Sequence, residues 1–254
     1  MQAPELNPED HKDLRRILGL HLVLLRGIKT ALRSDFIIAN STQTRNEAIK
    51  LGFDSKNAFV VNLGLDSGFF SKKGRKQKGK QFKVGYIGAV STTKNVGVAV
   101  NAFSQLIDKK AIFEVWGKKE GRYEELRNLA GDDPRIRFMG FAPEERLVSI
   151  YDSFDAFVHP TLYEGFGFPI LEAQARNLPV ITLKGARIPE EVKKYCIEVK
   201  DEGHMADKLE HLRLNGYSEK SRKRAAAYAR TFTWGRAARG TVGVYREAYS
   251  ERRS

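Results

Sequence analysis

One cysteine, Cys196, is all that the 254-residue chain contains. An intramolecular disulfide and any cysteine-cluster zinc site are therefore excluded. The thiol reads as a small buried hydrophobe on a late strand, and the chain as one suited to a reducing, cytoplasmic compartment. Long apolar runs are missing as well. The longest, over residues 17–25, has arginines at both ends and is about half of the roughly 18 residues that a spanning helix needs. Acidic residues precede it and no small-residue cleavage site follows, which argues against a signal peptide. The five histidines are scattered at no metal-ligand spacing.

Acidic residues are scarce where basic ones cluster. Lys and Arg number 44 against 31 Asp and Glu, a formal net charge of +13. Residues 71–80 carry six of the cations and no acid, and residues 219–254 carry ten against three glutamates. The rest of the chain is close to neutral. Segregated positive charge suits an anionic partner such as membrane lipid, nucleic acid or an acidic substrate. No aromatic residue interleaves the 71–80 run, as stacking on single strands would require. That run reads as a solvated linker, and nucleic acid is disfavoured.

Apolar residues make up 41% of the chain, which supports a real core. Residues 12–33 place Leu and Ile at helical spacing, with Arg15, Arg16, Arg26, Lys29 and Arg33 between them, as in an amphipathic basic helix. Residues 36–39 read as a short strand, Ser41 or Thr42 as the cap of a helix over 43–51, and 58–62 as another strand. From Lys83 strands and helices alternate. Strands are expected at 83–88, 111–117, 135–139, 155–159, 179–183 and 195–199. Helices are expected at 95–108, 121–130, 143–152, 169–177 and 187–194, then at 204–213, 218–231 and 234–250. Short connections predict an α/β fold, a Rossmann-like parallel sheet with helices on both faces. Ligands of such sheets sit beyond the carboxyl ends of the strands. Gly88, Gly117, Gly140 and the 160–168 loop all follow strands on that edge.

The most informative stretch is Val158-His159-Pro160-Thr161-Leu162-Tyr163-Glu164-Gly165-Phe166-Gly167-Phe168-Pro169-Ile170-Leu171-Glu172. It is an apolar strand, a glycine-rich turn and a helix opening at Pro169, where a missing N–H costs nothing. Gly165 and Gly167 permit a tight, positive-φ backbone. The free N–H groups of such a turn favour an anion such as phosphate. Carboxylates on either side, Glu164 and Glu172, only accept hydrogen bonds. A ligand with hydroxyls at both ends of its phosphates fits, and a nucleotide sugar is one.

This stretch resembles the Glu-x7-Glu motif of the family 4 retaining glycosyltransferases, which have the GT-B fold. Other segments follow the same order. Residues 36–41 resemble the strand and helix cap that end the first half of these enzymes, and 60–66 the crossing into the second half. Val84-Gly85-Tyr86-Ile87-Gly88, followed by Lys94-Asn95, is similar to the first donor-domain strand and phosphate loop. Residues 137–141, 178–182 and 232–234 also match in order.

The resemblance implies donor contacts by Gly88, Lys94, Phe141, Glu164, Gly165, Phe166, Gly167, Phe168 and Glu172. Glu172 is expected to accept from ribose hydroxyls and Glu164 to contact the transferred sugar. Lys94 would stabilise the leaving diphosphate, so Lys94 and Glu164 are the candidate catalytic residues. Backbone around Gly140 and Phe141 would meet the nucleobase. The side chains of Phe166 and Phe168 also read as core, and His159, ending a buried strand, reads as structural. Where the family carries an arginine, this chain has Ala89, which removes one expected phosphate cation. No metal or other cofactor is expected, because cations and helix dipoles replace the metal. Asp132-Asp133-Pro134 reads as a turn, not as the Asp-x-Asp metal motif of the other major glycosyltransferase fold.

Four units are expected. Residues 1–63 form a small, incomplete remnant of an N-terminal acceptor domain, and 64–80 a basic linker. Residues 81–231 form the nucleotide-sugar-binding domain, and 232–254 a basic helix crossing back to the remnant. The expected function is metal-independent transfer, with retention, from a UDP- or GDP-linked sugar. The alternative is a non-catalytic nucleotide-sugar-binding subunit of a split glycosyltransferase. An incomplete remnant leaves apolar surface exposed, so a second copy, a separate acceptor-binding subunit or an anionic membrane is the expected partner. The membrane reading places the chain peripherally on an inner face.

Overall fold

Residues 33–71, 81–118 and 121–251 are described by a computed structural model. The expected helix over 12–33, apart from Arg33, and the basic run 72–80 lie outside the described residues. The chain runs through β1 (Ile37–Ala39), α1 (Thr42–Lys50), β2 (Ala58–Val60), β3 (Lys83–Ile87), α2 (Val96–Ser104), β4 (Ile112–Trp116), α3 (Tyr123–Ala130) and β5 (Ile136–Gly140). It continues through α4 (Leu147–Ser153), β6 (Ala156–His159), α5 (Phe168–Ala175), β7 (Val180–Leu183), α6 (Glu190–Lys193) and β8 (Ile197–Val199). Three helices close it: α7 (Glu202–Asn215), α8 (Glu219–Ala229) and α9 (Trp234–Glu251).

Six strands form one parallel sheet in the order β5-β4-β3-β6-β7-β8. The order reverses between β3 and β6, so the loops after these two strands diverge around a crevice. Alternating side chains feed opposite faces of the sheet. Val84, Tyr86, Ala156 and Val158 pack under α2, α3 and α7, whereas Ile87, Phe157 and Val180 pack under α4, α5 and α8. Burial on both faces explains why these strands read as nearly continuous apolar runs. Gly85 is the gap in β3, since a Cβ there would lie 2.2 Å from the Phe154 ring.

The remaining strands, β1 and β2, pair in parallel as a sheet of two. Ser41, not Thr42, caps α1, accepting from the Thr44 N–H. Ile38 and Val60 stay exposed on this small sheet. Helix α9 lies beside it, with Gly240 facing Val61. Where chain and helix cross, a Cβ on Gly64 would come within 2.1 Å of the Trp234 nitrogen.

Two expectations need correction. Residues 64–71 are not linker: Ser67–Phe70 form a 3-10 helix with Phe69 buried, and the Leu65 N–H bonds the Phe232 carbonyl at 2.9 Å. The helix expected over 187–194 shrinks to α6, because Arg187 spends its backbone on the motif loop. Its N–H bonds the Leu162 carbonyl and its carbonyl accepts from Glu164, each at 2.8 Å. No helix among the described residues is long and apolar enough to cross a membrane.

Candidate functional site

The carboxyl ends of β3, β4 and β5 are laced by backbone bonds. The Gly88 N–H reaches the Trp116 carbonyl and the Gly117 N–H the Gly140 carbonyl, both at 2.9 Å. A Cβ at Gly117 would stand 2.4 Å from the Gly88 oxygen, so only glycine allows this closeness. Beyond these ends opens a cleft of about 640 Å³ lined by Gly88, Ala89, Trp116, Lys118 and Phe141 among others. Phe141 is 63% exposed, and the Lys118 ammonium sits 5.8 Å from its ring centroid. An exposed ring beside a cation is a platform for a flat, electron-rich ligand.

Lys94 ends a one-turn 3-10 helix (Thr92–Lys94), and Asn95, at φ 50°, turns the chain into α2. This loop is tied to the motif loop: the Thr93 carbonyl accepts from the Leu162 N–H at 2.8 Å and from the Thr161 hydroxyl at 3.2 Å. The two loops thereby bring the expected catalytic pair together. Lys94 Nζ and His159 Nε2 both bond Glu164 Oε1, the histidine at 2.6 Å. Glu172, in the second turn of α5, receives the Tyr151 hydroxyl on Oε2 at 2.7 Å. Among the described residues no hydrogen bond reaches Glu164 Oε2 or Glu172 Oε1. Each carboxylate is thus held by one oxygen and open at the other.

Gly167 caps α5 at φ 102°, a conformation that side chains resist. Phe166 is buried, edge-on to Phe168 at 5.1 Å and to Phe232 at 6.1 Å. Phe166 therefore anchors the turn through its ring, with the partly buried Phe168 packed edge-on against it. The far side of the loop is held by α1. Ser41 Oγ donates to the Gly165 carbonyl at 3.1 Å and Gln43 Nε2 to the Glu164 carbonyl at 3.0 Å. Glu47 pairs with Arg187 and accepts from the Tyr163 hydroxyl.

The two carboxylates differ in acidity. Burial works to raise the Glu164 pKa, but the bonds from His159 and Lys94 outweigh it and hold the value below the ordinary 4.5. Glu172 lies above 4.5, because burial outweighs the Tyr151 hydrogen bond. Burial also keeps His159 below 6.5, against the opposing pull of Glu164, and Tyr151 well above 10. A pKa raised on folding adds stability below the unfolded value and withdraws it as pH rises through the folded one. Ionised Glu172 therefore weakens the fold at neutral pH. Glu172→Gln should raise Tm at pH 7, with the gain shrinking as pH falls toward 4.5; thermal melts across pH check this. The sign for Glu164 is opposite: its contribution is present above 4.5 and is lost as pH falls through its depressed value.

Lys94, Glu164, Gly165, Gly167 and Glu172 thus cluster around two joined loops, with Gly88 and Phe141 on the adjoining cleft. Sequence reasoning missed Tyr151 and Gln43, named Ser41 only as a helix cap, and read His159 as structural. Tyr151 and Glu172 are 21 residues apart on different helices, and no local pattern couples them.

The family model for glycosyl transferases group 1 matches residues 81–215. Over 121 residues the chain is 32% identical to O-antigen chain mannosyltransferase B of Escherichia coli, covering 44% of this chain and 30% of that protein. Over 244 residues it is 25% identical to a D-inositol 3-phosphate glycosyltransferase of Corynebacterium aurimucosum, covering 85% and 58%. The chain thus spans less than two thirds of these curated relatives. The structure of Anabaena Alr3699/HepE in complex with UDP and glucose superposes with a TM-score of 0.71 at 18% identity, covering 89% of this chain and 66% of that one. That likeness places the sheet and its helices in the GT-B fold. The chain belongs to the glycosyl transferases group 1 family.

Proposed function

We propose that the chain binds a nucleotide diphosphate sugar across the β3–β6 crevice and transfers its sugar with retention, without a metal. The observation that carries this reading is the pair of half-engaged carboxylates on either side of the α5 N-terminus, with Lys94 between the loops. Each open oxygen suits a hydroxyl, and the ammonium and free N–H groups suit phosphate. The family's transferases and a structural relative bound to UDP and glucose support it. In the transfer, the bond from the anomeric carbon to the phosphate oxygen breaks and the acceptor oxygen bonds on the same face. The acceptor proton goes to the leaving phosphate, so no protein base is assigned. Protein catalysis is then positioning plus electrostatic stabilisation of the diphosphate.

Ala89 favours a second reading, a non-catalytic nucleotide-sugar-binding subunit. Efficient transfer is expected only with a partner or a membrane-held acceptor, consistent with Ile38 and Val60 exposed on a two-stranded sheet. A thermal-shift panel of UDP- and GDP-linked sugars tests donor binding, since a ligand of the folded state raises Tm by mass action. Glu172→Ala should weaken the donor about ten- to a hundredfold, the worth of a charged hydrogen bond. Calorimetry reads that loss, and EDTA should leave turnover unchanged. Unaltered affinity in the variant removes Glu172 from ribose recognition.

A further inference from the structure

We propose that His159 is a positioning residue for sugar recognition: its Nε2–H holds Glu164 Oε1 and leaves Oε2 for the hydroxyls of the transferred sugar. This rests on the donor-site reading above and deepens it.

Three observations carry the inference. The imidazole is 1% exposed and runs nearly parallel to two neighbouring aromatic rings, Tyr86 at 6.1 Å and 16° and Phe157 at 6.1 Å and 15°. A buried ring packed against two others keeps its orientation. Second, Nε2 lies 2.6 Å from a carboxylate oxygen that only accepts, which makes Nε2 the protonated nitrogen of a neutral ring. Third, Nδ1 is buried with no partner among the described residues. A phenylalanine would fill the same stacked slot without burying an unsatisfied nitrogen. Packing alone therefore does not account for a histidine here, whereas the bond to Glu164 does.

Lys94 shows why a second donor is needed. It shares Oε1 with His159 in the structure, but the proposed donor brings a diphosphate that competes for its ammonium. Once Lys94 turns to phosphate, Glu164 keeps His159 as its anchor. The charged and titratable groups facing the ring are Glu164, Lys94 and the Tyr86 hydroxyl. The last of these donates to the Ala89 carbonyl at 2.7 Å rather than to the imidazole. Burial keeps the ring neutral at pH 7, as a fixed donor requires.

The test compares nucleotide sugars with their bare nucleoside diphosphates. Calorimetric titration would use UDP-glucose and GDP-mannose against UDP and GDP, for wild type, His159→Phe and His159→Gln. In His159→Phe the sugar-dependent part of the affinity should fall about ten- to a hundredfold, with nucleoside diphosphate affinity unchanged. Glutamine, which can present an N–H near the Nε2 position, should restore much of it. A merely structural histidine predicts otherwise: equal losses for sugar-linked and bare diphosphates in both variants, tracking a drop in Tm. That pattern, or an unchanged sugar preference in His159→Phe, overturns the proposal while the donor site stands. If wild-type protein binds none of the four compounds, the donor-site reading itself fails and takes this proposal with it. Nitrogen-15 spectra of wild-type histidine give a readout that needs no variant to fold. They should show a neutral His159 protonated at Nε2; a charged ring or an Nδ1–H tautomer overturns the assignment.

Discussion

Lys94→Ala is expected to lower turnover about 10²–10³-fold, the effect of removing one donor aimed at developing charge. Nucleoside affinity should change far less, because the ammonium serves the departing diphosphate and not the base or ribose. Ala89 stands on the same loop where the family carries an arginine, so that cation is not there to compensate. Glu164 would keep His159 on Oε1, so the loss would not come from a collapsed loop, and Tm should stay near wild type. Lys94→Arg should recover only part of the rate, since a planar guanidinium does not present its charge as a compact ammonium does. Single-turnover kinetics separate the chemical step from binding. Wild-type turnover in the alanine variant would transfer the role to another cation, and Lys118, which lines the cleft beyond β3 and β4, is the one to test next.

Arg176→Ala should produce the largest loss of stability, about 3–5 kcal/mol, as expected when one partner of a buried pair is removed. Its side chain is 1% exposed. The guanidinium bonds both oxygens of Asp152, at 2.8 and 2.7 Å, and the carbonyls of Phe69 and Ser71, at 3.1 and 2.8 Å. It therefore joins α4, the end of α5 and the 3-10 turn before the basic run. Truncation leaves a carboxylate and two carbonyls without this donor. At roughly 2–4 °C per kcal/mol for a chain of this size, Tm should fall by about 10 °C. The exposed Arg122–Glu125 pair is the contrast: its loss should stay within about 0.5 kcal/mol. Equal shifts in the two variants would show that Arg176 is not the tie described here.

Most of the sheet was legible because its strands are buried on both faces. Residues 156–158 are all apolar, and β6 occupies 156–159. The glycines and the proline of 165–169 placed the start of α5 to within a residue. What stayed hidden depended on contacts far apart in sequence. Nothing local says that Arg187 would spend its backbone on Leu162 and Glu164, so the helix there was overdrawn. Residues 64–71 look like the head of a basic linker until Arg176 and Phe232 claim them from 105 or more residues away. For the site, residue types and spacing singled out Glu164 and Glu172, and the family resemblance added Lys94. Which of their oxygens are engaged follows only from the folded positions of His159 and Tyr151.

Two of the bonds from α1 and its cap to the motif loop, those of Gln43 and Ser41, end on main-chain carbonyls, those of Glu164 and Gly165. A carbonyl is the same acceptor whatever side chain it carries. These two bonds are blind to the loop's composition and sense only where its backbone lies, whereas the Tyr163 hydroxyl on Glu47 depends on a side chain. For engineering, this makes the loop an exchangeable cartridge so long as a tyrosine is kept at position 163. Segment 158–172 from a relative could be grafted in with new side chains facing the cleft, and Ser41 and Gln43 would still moor it. That backbone-directed part of the mooring is written in α1 and its cap, more than a hundred residues upstream of the cartridge it secures.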